Sequence, residues 1–291
     1  MIVPIKQIIT KAKAGKYAVG AFNTSNLEIT MAIVRAAVQE KSPVIIQTSE
    51  SAIKYSNLKT IFGVITNLAN TVGKSVPIAI HLDHGKNWPI VKDCINVGYN
   101  SVHMDASEKD YATNVRMSKQ AAVAAHKKGI WCQAELGSIL GKEGMVKLET
   151  GEINMKDLMT DPQQAIDFVA KTKVDTLAIS VGTIHGHFKG IEKVDQRRLK
   201  KIVASVKVPL VLHGGSGLQT KVFKQAIKNG VSVINIDTNL RLAFKKALIK
   251  HVDTNRDTSM VDPRKILAPS TEAMQAEVVK TIRIFGSKNK A

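Results

Sequence analysis

The chain has 291 residues, of which 44% are hydrophobic, which suits one large α/β domain or two small ones with a sizeable core. No apolar run reaches the roughly 20 residues of a membrane-spanning helix, and the N-terminus lacks the apolar core of a signal peptide. The two cysteines exclude a disulfide framework, so we expect a cytoplasmic location.

The net charge of +18 suggests nucleic-acid binding or surface adhesion as a function of another class. However, the lysines are spread along the whole chain, and no aromatic residues interleave with a basic cluster as a base-stacking surface requires. We therefore expect a solvated basic surface that gathers anionic substrates, and we consider a nucleic-acid partner or a membrane partner less well supported.

Short apolar runs alternate with helical patterns along the chain. The predicted strands cover residues 17–22, 43–47, 76–82, 101–104, 131–134, 176–181, 209–212 and 231–236. The predicted helices cover residues 27–39, 59–72, 88–97, 110–128, 162–171, 195–206, 220–229 and 240–251. The long polar stretch 137–159 is typical of a lid or binding loop.

Eight strands that alternate with helices predict a (β/α)8 TIM barrel. We expect a single domain over residues 1–291, in which residues 262–285 form a C-terminal helical extension. The structural alternative is an open, doubly wound sheet. The first strand is not followed by Gly-x-Gly-x-x-Gly, which argues against a dinucleotide site.

The third predicted strand ends in three ionisable residues, His81, Asp83 and His84, followed by Gly85. In regular strand geometry His81 and Asp83 share one face and His84 takes the other, unless the chain already turns at Asp83. Each buried ionisable group must be paired or desolvated, so this cluster favours a functional site over a purely structural role.

Six polar residues, including His84, directly follow or closely follow the ends of predicted strands. In a barrel these strand ends form one face, and active sites lie on that face. The six residues are His84, Asp105, Glu135, His185, His213 and Asp237. Three histidines from different strands fit a catalytic zinc site, which has three protein ligands and one open position. We expect His103, His126 and His251 to be hydrogen-bonded structural residues, and His81 and His187 to orient the ligands.

The glycine-rich segment 213–217 and the segment Asn-Ile-Asp-Thr (235–238) lie at the ends of the seventh and eighth strands. The loops after these strands often bind phosphate in barrels, because backbone N–H groups are exposed there before a helix.

Five segments together resemble the class II fructose-1,6-bisphosphate aldolases. They are His-Leu-Asp-His-Gly (81–85), Ala-Glu-Leu-Gly (134–137), Ser-Val-Gly-Thr-Ile-His-Gly (180–186), Leu-His-Gly-Gly-Ser-Gly (212–217) and Asn-Ile-Asp-Thr (235–238). The resemblance implies a zinc-dependent (β/α)8 enzyme, dimeric or tetrameric. It would reversibly cleave fructose 1,6-bisphosphate to dihydroxyacetone phosphate and glyceraldehyde 3-phosphate.

The resemblance also implies a role for individual residues. The zinc ligands would be His84, His185 and His213, and a second divalent ion would lie at Asp105 and Glu135. Asp83 would exchange the hydroxyl proton and Glu143 the carbon-bound proton. The dihydroxyacetone phosphate site would comprise Gly186, Lys189, Gly214, Gly215, Ser216, Asn235, Ile236, Asp237 and Thr238. Asn23 and Ser49 match weaker substrate contacts or helix caps, and the glycine segments also match a site for Na⁺ or K⁺.

The chain departs from the family pattern at two places. Gln133 stands where relatives commonly have a glutamate, and Thr271 stands where many have an arginine. The second departure leaves tagatose 1,6-bisphosphate open as the alternative substrate, and Arg264 is a further phosphate contact to consider. A Schiff-base aldolase would need a lysine inside the barrel, whereas Lys173 and Lys207 precede their strands.

Overall fold

Eight parallel strands close into a barrel in the computed structural model, which describes residues 1–139, 141, 155–186, 194–254 and 261–291. The strands are β1 (Val19–Asn23), β2 (Val44–Ser49), β3 (Ile78–Gly85), β4 (Ser101–Met104), β5 (Trp131–Leu136), β6 (Thr176–Ile179), β7 (Leu210–Leu212) and β8 (Val231–Ile236). Each strand pairs with the next, and β1 closes the ring on β8, where Phe22 is in register with Ile236. The predicted (β/α)8 barrel is confirmed.

Helices surround the barrel and close its amino-terminal end. Those in the described ranges are α1 (Ile5–Gly15), α2 (Leu27–Glu40), α3 (Glu50–Ser56), α4 (Leu58–Asn70), α5 (Trp88–Val97), α6 (Tyr111–His126), α7 (Met155–Leu158), α8 (Pro162–Thr172), α9 (Gln196–Ser205), α10 (Thr220–Lys228), α11 (Thr238–Thr254) and α12 (Pro263–Phe285). None of these described helices has the length and apolar character needed to cross a membrane.

Helix α1, which the sequence analysis did not predict, plugs the amino-terminal end of the barrel. Ile5, Ile8 and Ile9 are buried and pack with inward-facing strand residues such as Ala79 and Val233. Burying one such isoleucine stabilises the fold by about 1.5–3 kcal/mol. This end of the barrel is therefore apolar, and the ionisable side chains collect at the opposite end.

The carboxyl end of β3 contains a β-bulge. Three residue steps on β3, from Leu82 to Gly85, match only two steps on β4. His84 lies in this irregularity with a left-handed φ of 48°. Because the bulge breaks the strict alternation of faces, Asp83 and His84 can both turn toward the barrel mouth. The strand also runs to Gly85, three residues beyond its predicted end at Leu82.

Two more segments differ from the sequence expectations. Residues 50–56, which were not assigned to a helix, form α3, and the Ser49 hydroxyl caps it by accepting the Ala52 N–H at 3.4 Å. Helix α11 begins at Thr238 rather than Leu240. The C-terminal extension forms one helix, α12, which contains Pro269.

An ion pair between the buried Glu40 and the exposed Arg283 connects α2 and α12. Arg283 donates from Nε and Nη2 to the two carboxylate oxygens of Glu40, at 3.0 and 2.8 Å. Glu40 is only 2% exposed, and its next cation, Lys288, is 3.7 Å away. The Arg283 hydrogen bond and charge hold the pKa of Glu40 below its usual range, although burial opposes this shift.

We expect Arg283→Met to lower the free energy of unfolding near neutral pH, because the carboxylate of Glu40 loses its best-placed partner. A depressed pKa in the folded state means that the stabilisation is present above the unfolded-state pKa. It is lost as pH falls through the folded-state pKa. Urea denaturation of wild type and variant should therefore give stabilities that converge in acid.

Lys280→Met is the matched control, since it removes a more exposed pair with Glu277 on the same helix. It should cost less than about 0.5 kcal/mol. If Arg283→Met lowered the free energy of unfolding by the same amount at neutral and at acid pH, the proposed role of this ion pair would be contradicted.

Candidate active site

Two of the predicted zinc ligands, His84 and His213, are in direct contact at the barrel mouth. His84 Nε2 lies 2.9 Å from His213 Nδ1, and the two ring centroids are 4.6 Å apart. The third, His185, has its ring centroid 5.1 Å from that of His84 and 5.9 Å from that of His213. The structure therefore brings three imidazoles from β3, β7 and the end of β6 to one place.

The protonation of these imidazoles differs in a way that suits metal binding. Burial, helped by the charge of His84, lowers the pKa of His185 to about 3 and that of His213 well below its usual value. Both rings are thus neutral and offer a nitrogen lone pair. Burial would also lower the pKa of His84, but the attraction of Asp83 and the hydrogen bond to Asp105 raise it to about 10. The same negative field that draws a proton to His84 would draw a metal cation.

Asp83 is fully buried beside the histidines, with Oδ1 at 3.9 Å from His84 Nε2. Three amide side chains hold its carboxylate. Asn23 and Gln47 donate to Oδ2 at 2.9 and 3.2 Å, and Asn235 donates to Oδ1 at 3.2 Å. These donors come from β1, β2 and β8, so the barrel itself fixes the position of the carboxylate.

Asp105 follows β4 and orients the other side of the His84 ring. His84 Nδ1 lies 2.6 Å from Asp105 Oδ2, and Ser107 Oγ donates to Oδ1 at 2.7 Å. Burial opposes the ionised form, yet the hydrogen bond and charge of His84 keep the pKa of Asp105 well below its usual range. A His84 ring that donates from Nδ1 presents Nε2 to the centre of the cluster.

Glu135, at the end of β5, has its Oε2 3.9 Å from His84 Nδ1. Burial and the nearby charge of Asp105 raise its pKa to about 8. This Oε2 has no hydrogen-bond partner among the described residues. Asp105 and Glu135 thus lie together beside His84, as the resemblance implies.

The structure adds His103 to the cluster, although we had expected a structural residue. It is fully buried, and one of its ring nitrogens lies within 4.8 Å of ligand atoms of Asp83, His84 and His213. His103 precedes Asp105 by two positions on β4, so the two share a face of the strand. That alternation was the signal that could have identified it.

Three further residues escaped the sequence analysis as site residues. Gln47 contacts Asp83, Gln133 Nε2 lies 3.0 Å from His213 Nε2, and Lys86 Nζ lies 2.7 Å from Asp105 Oδ2. The glutamine at position 133 therefore contacts a predicted zinc ligand. Gln47 precedes Ser49 by two positions on β2, and Lys86 directly follows the His84-Gly85 pair.

The glycine-rich segment 213–217 and the segment 235–238 lie side by side at the carboxyl ends of β7 and β8. Gly214 has φ of 64°, and a side chain there would meet the Ile184 carbonyl oxygen at 2.7 Å. Ser216 Oγ accepts the N–H of Asn239 at 3.3 Å, in the first turn of α11. The loop after β7 thus contacts the amino-terminal end of a helix, where an anion is stabilised.

Other predicted substrate residues line or flank this mouth. Asp237 is buried and accepts from Arg241 Nε at 2.6 Å, and burial raises its pKa. Gly186 directly follows His185 and has φ of 100°. Ile236 ends β8 and Thr238 begins α11. Ser49 is the cap of α3, one of the two roles expected for it, and Asn23 contacts Asp83 instead of capping α2.

Several sequence predictions are not supported by a contact at the mouth. Thr271 is buried in α12, where its hydroxyl donates to the Leu267 carbonyl at 3.1 Å. Arg264 is paired with Asp262 at the start of the same helix. Glu143, Lys189 and His187 lie outside the described residues.

The residues present fit a divalent cation. Asp83, His84, His103 and His213 form one group, and His84, His103, Asp105 and Glu135 form another, each with ligand atoms within 4.8 Å of one another. Neutral buried imidazoles are the donors that zinc prefers in catalytic sites. His185 belongs to neither group. Its ring centroid lies 5.1 Å from that of His84 and 5.9 Å from that of His213.

Comparison with known proteins points to one family. Residues 3–290 match the family model described as fructose-bisphosphate aldolase class-II. The chain is 39% identical over 291 residues to a fructose-bisphosphate aldolase of Geobacillus stearothermophilus, covering 100% of this chain and 99% of the relative. It is 38% identical, with the same coverage, to a fructose-bisphosphate aldolase of Staphylococcus aureus strain N315.

A solved structure agrees with this grouping. The YdjI aldolase of Escherichia coli K12 is 30% identical, superposes with a TM-score of 0.85 and is covered over 100% of both chains. The match over nearly the whole chain and the cluster at the barrel mouth have one explanation: the chain belongs to the class II fructose-bisphosphate aldolase family.

Proposed function

We propose that this chain catalyses the reversible, zinc-dependent aldol cleavage of fructose 1,6-bisphosphate to dihydroxyacetone phosphate and glyceraldehyde 3-phosphate. The observation that carries the proposal is a buried, amide-held carboxylate, Asp83, next to a cluster of three imidazoles at the barrel mouth. Family membership supplies the reaction class, and these residues supply the chemistry.

His84, His185 and His213 would hold the zinc. When bound there, zinc supplies a Lewis acid that stabilises negative charge beside the substrate carbonyl. His185 and His213 are neutral, and Asp105 orients the His84 ring through a contact of 2.6 Å with its Nδ1, which suits that role.

Asp83 would take the proton from the hydroxyl at the carbon–carbon bond that breaks. The electron pair of that O–H bond forms the π bond of the new aldehyde carbonyl. The electron pair of the broken carbon–carbon bond remains on the carbon next to the ketone carbonyl. A general base must lie within hydrogen-bond reach of its proton, so a fixed position is an advantage. The amides of Asn23, Gln47 and Asn235 provide it.

The phosphate of dihydroxyacetone phosphate would bind between the glycine-rich segment 213–217 and the segment 235–238. Backbone N–H groups near Gly214 and Gly215 and the amino-terminal end of α11 favour an anion. Following the resemblance, Lys189 would contribute a cation and Glu143 would return a proton to carbon.

The remaining assignments follow from the family resemblance. In the family pattern Asp105 and Glu135 match the position of a second divalent ion, and the glycine segments match a site for Na⁺ or K⁺. A homodimer or homotetramer and a cytoplasmic location are the corresponding proposals for assembly and compartment.

The direct test is aldol cleavage measured with purified protein on fructose 1,6-bisphosphate and, separately, on tagatose 1,6-bisphosphate. We expect a kcat/KM at least about tenfold higher for fructose 1,6-bisphosphate, a difference of about 1.4 kcal/mol in the activation free energy. A higher kcat/KM for tagatose 1,6-bisphosphate would instead identify that sugar as the preferred substrate. No cleavage of either sugar by metal-loaded protein would refute the proposal.

We expect Asp83→Asn to lower kcat by a factor of about 10²–10⁴, because the variant keeps the shape of the side chain and loses the base. Zinc content should stay at the wild-type level, which elemental analysis of the same preparations can establish. Asp93→Asn, on the exposed face of α5, is the control and should be unaffected. Near-normal turnover of Asp83→Asn would exclude this residue as the base.

Removal of metal by a chelator should abolish cleavage, and Zn²⁺ or Co²⁺ should restore it. His185→Ala should lower zinc affinity at least about tenfold, since one of three ligands is lost. The surface variant His251→Ala should retain its zinc. Full activity after exhaustive removal of metal would contradict the zinc-dependent mechanism.

A further inference from the structure

Lys86 is a cation built into the acidic side of the site. Its Nζ lies 2.7 Å from Asp105 Oδ2 and 3.3 Å from Glu108 Oε1. The Asp105 side chain is 1% exposed, whereas Lys86 reaches it from the surface with 43% of its own side chain exposed. The ammonium is therefore in hydrogen-bond contact with a buried carboxylate.

The main chain at Lys86 is also anchored. Its backbone N–H donates to Glu50 Oε1 at 2.6 Å, and the same oxygen accepts from Asn87 Nδ2 at 3.1 Å. The bulge that ends β3 places Lys86 immediately after Gly85. The side chain thus starts from a fixed point and reaches Asp105 along the rim of the barrel.

The oxygen that Lys86 contacts is the one that a second divalent ion would need. Asp105 belongs to the group with His84, His103 and Glu135, whose ligand atoms lie within 4.8 Å of one another. Its Oδ2 is already shared by the Lys86 ammonium and by His84 Nδ1. A divalent ion on that oxygen would lie next to the ammonium, and the two cations would repel each other in a buried setting.

The rest of that group is suited to a metal once the ammonium is removed. Glu135 Oε2 is buried and has no hydrogen-bond partner among the described residues. The same is true of His103 Nε2. A carboxylate, an imidazole and the freed Asp105 oxygen would then converge without a competing cation.

We propose that the Lys86 ammonium, by its contact with Asp105, takes the place of a second divalent ion in the group that Asp105 forms with Glu135, so that this chain binds one divalent ion per active site. The inference rests on the proposed function, because it presumes the metal centre at His84, His185 and His213. It goes beyond that function by assigning the second cation position to a side chain of the protein.

Metal stoichiometry tests the inference without reference to activity. Metal-free wild type, Lys86→Met and Lys86→Arg are titrated with Zn²⁺ and counted by elemental analysis, and with Mn²⁺ followed by electron paramagnetic resonance. We expect one equivalent per chain for wild type and for Lys86→Arg, whose guanidinium can keep the pair with Asp105. Lys86→Met should take up a second equivalent.

Lys92→Met, an exposed lysine on α5, makes the same change in net charge and should bind one equivalent. Lys86→Gln provides a second neutral variant, and it too should bind two. Two equivalents in wild type, or one in both neutral Lys86 variants, would overturn the inference and leave the proposed function standing. No bound metal in wild type would instead refute the proposed function, and the role of Lys86 with it.

Discussion

The bulge at the end of β3 is the constraint on which the site depends. Without the extra residue, strand alternation would send Asp83 and His84 to opposite faces of the barrel wall. With it, the candidate base Asp83 and the candidate metal ligand His84, which are adjacent in sequence, lie 3.9 Å apart at the same opening. The left-handed backbone of His84, at φ 48°, is a strained conformation for a histidine, and the hydrogen bond to Asp105 holds the ring in place.

The barrel separates apolar and polar interiors along its axis. Isoleucines of α1 fill the amino-terminal end, and amides, imidazoles and carboxylates occupy the other end. Burial then sets the chemistry of each group. It leaves His185 and His213 neutral, whereas the carboxylates around His84 favour positive charge on that ring. One polar layer therefore contains both lone-pair donors and the negative field that attracts a cation.

The sequence predicted the barrel and the end of it that carries the site, because strands buried on both faces are apolar and their polar termini stand out. For that reason it singled out His84, His185 and His213 as candidate metal ligands. It did not identify Gln47 or His103, because a polar residue within an apolar run shows which face it takes only through its two-residue spacing from another site residue, here Ser49 and Asp105. The bulge was also invisible, because it is defined by the register between β3 and β4 rather than by either strand alone.

Helix α1 escaped prediction for a related reason. Its apolar residues have helical spacing, but their partners belong to strands distant in sequence, such as Val233 on β8. Lys86 likewise looked like one of many solvated lysines in a basic chain, and only its contact with Asp105 distinguishes it. Contacts between distant segments decide these roles, and composition alone does not reveal them.

The nitrogen-rich donor set of the site has a consequence for oxidative stress. Thiolate ligands are readily oxidised and then release their metal, whereas imidazoles resist mild oxidants. The two cysteines, Cys94 and Cys132, are buried outside the cluster, and burial raises the pKa of Cys94 to about 12 and that of Cys132 still further. Both stay as unreactive thiols. Among the described residues, the candidate ligand groups at the barrel mouth consist of imidazoles and carboxylates, so a peroxide that attacks thiolates would find no thiolate ligand in them.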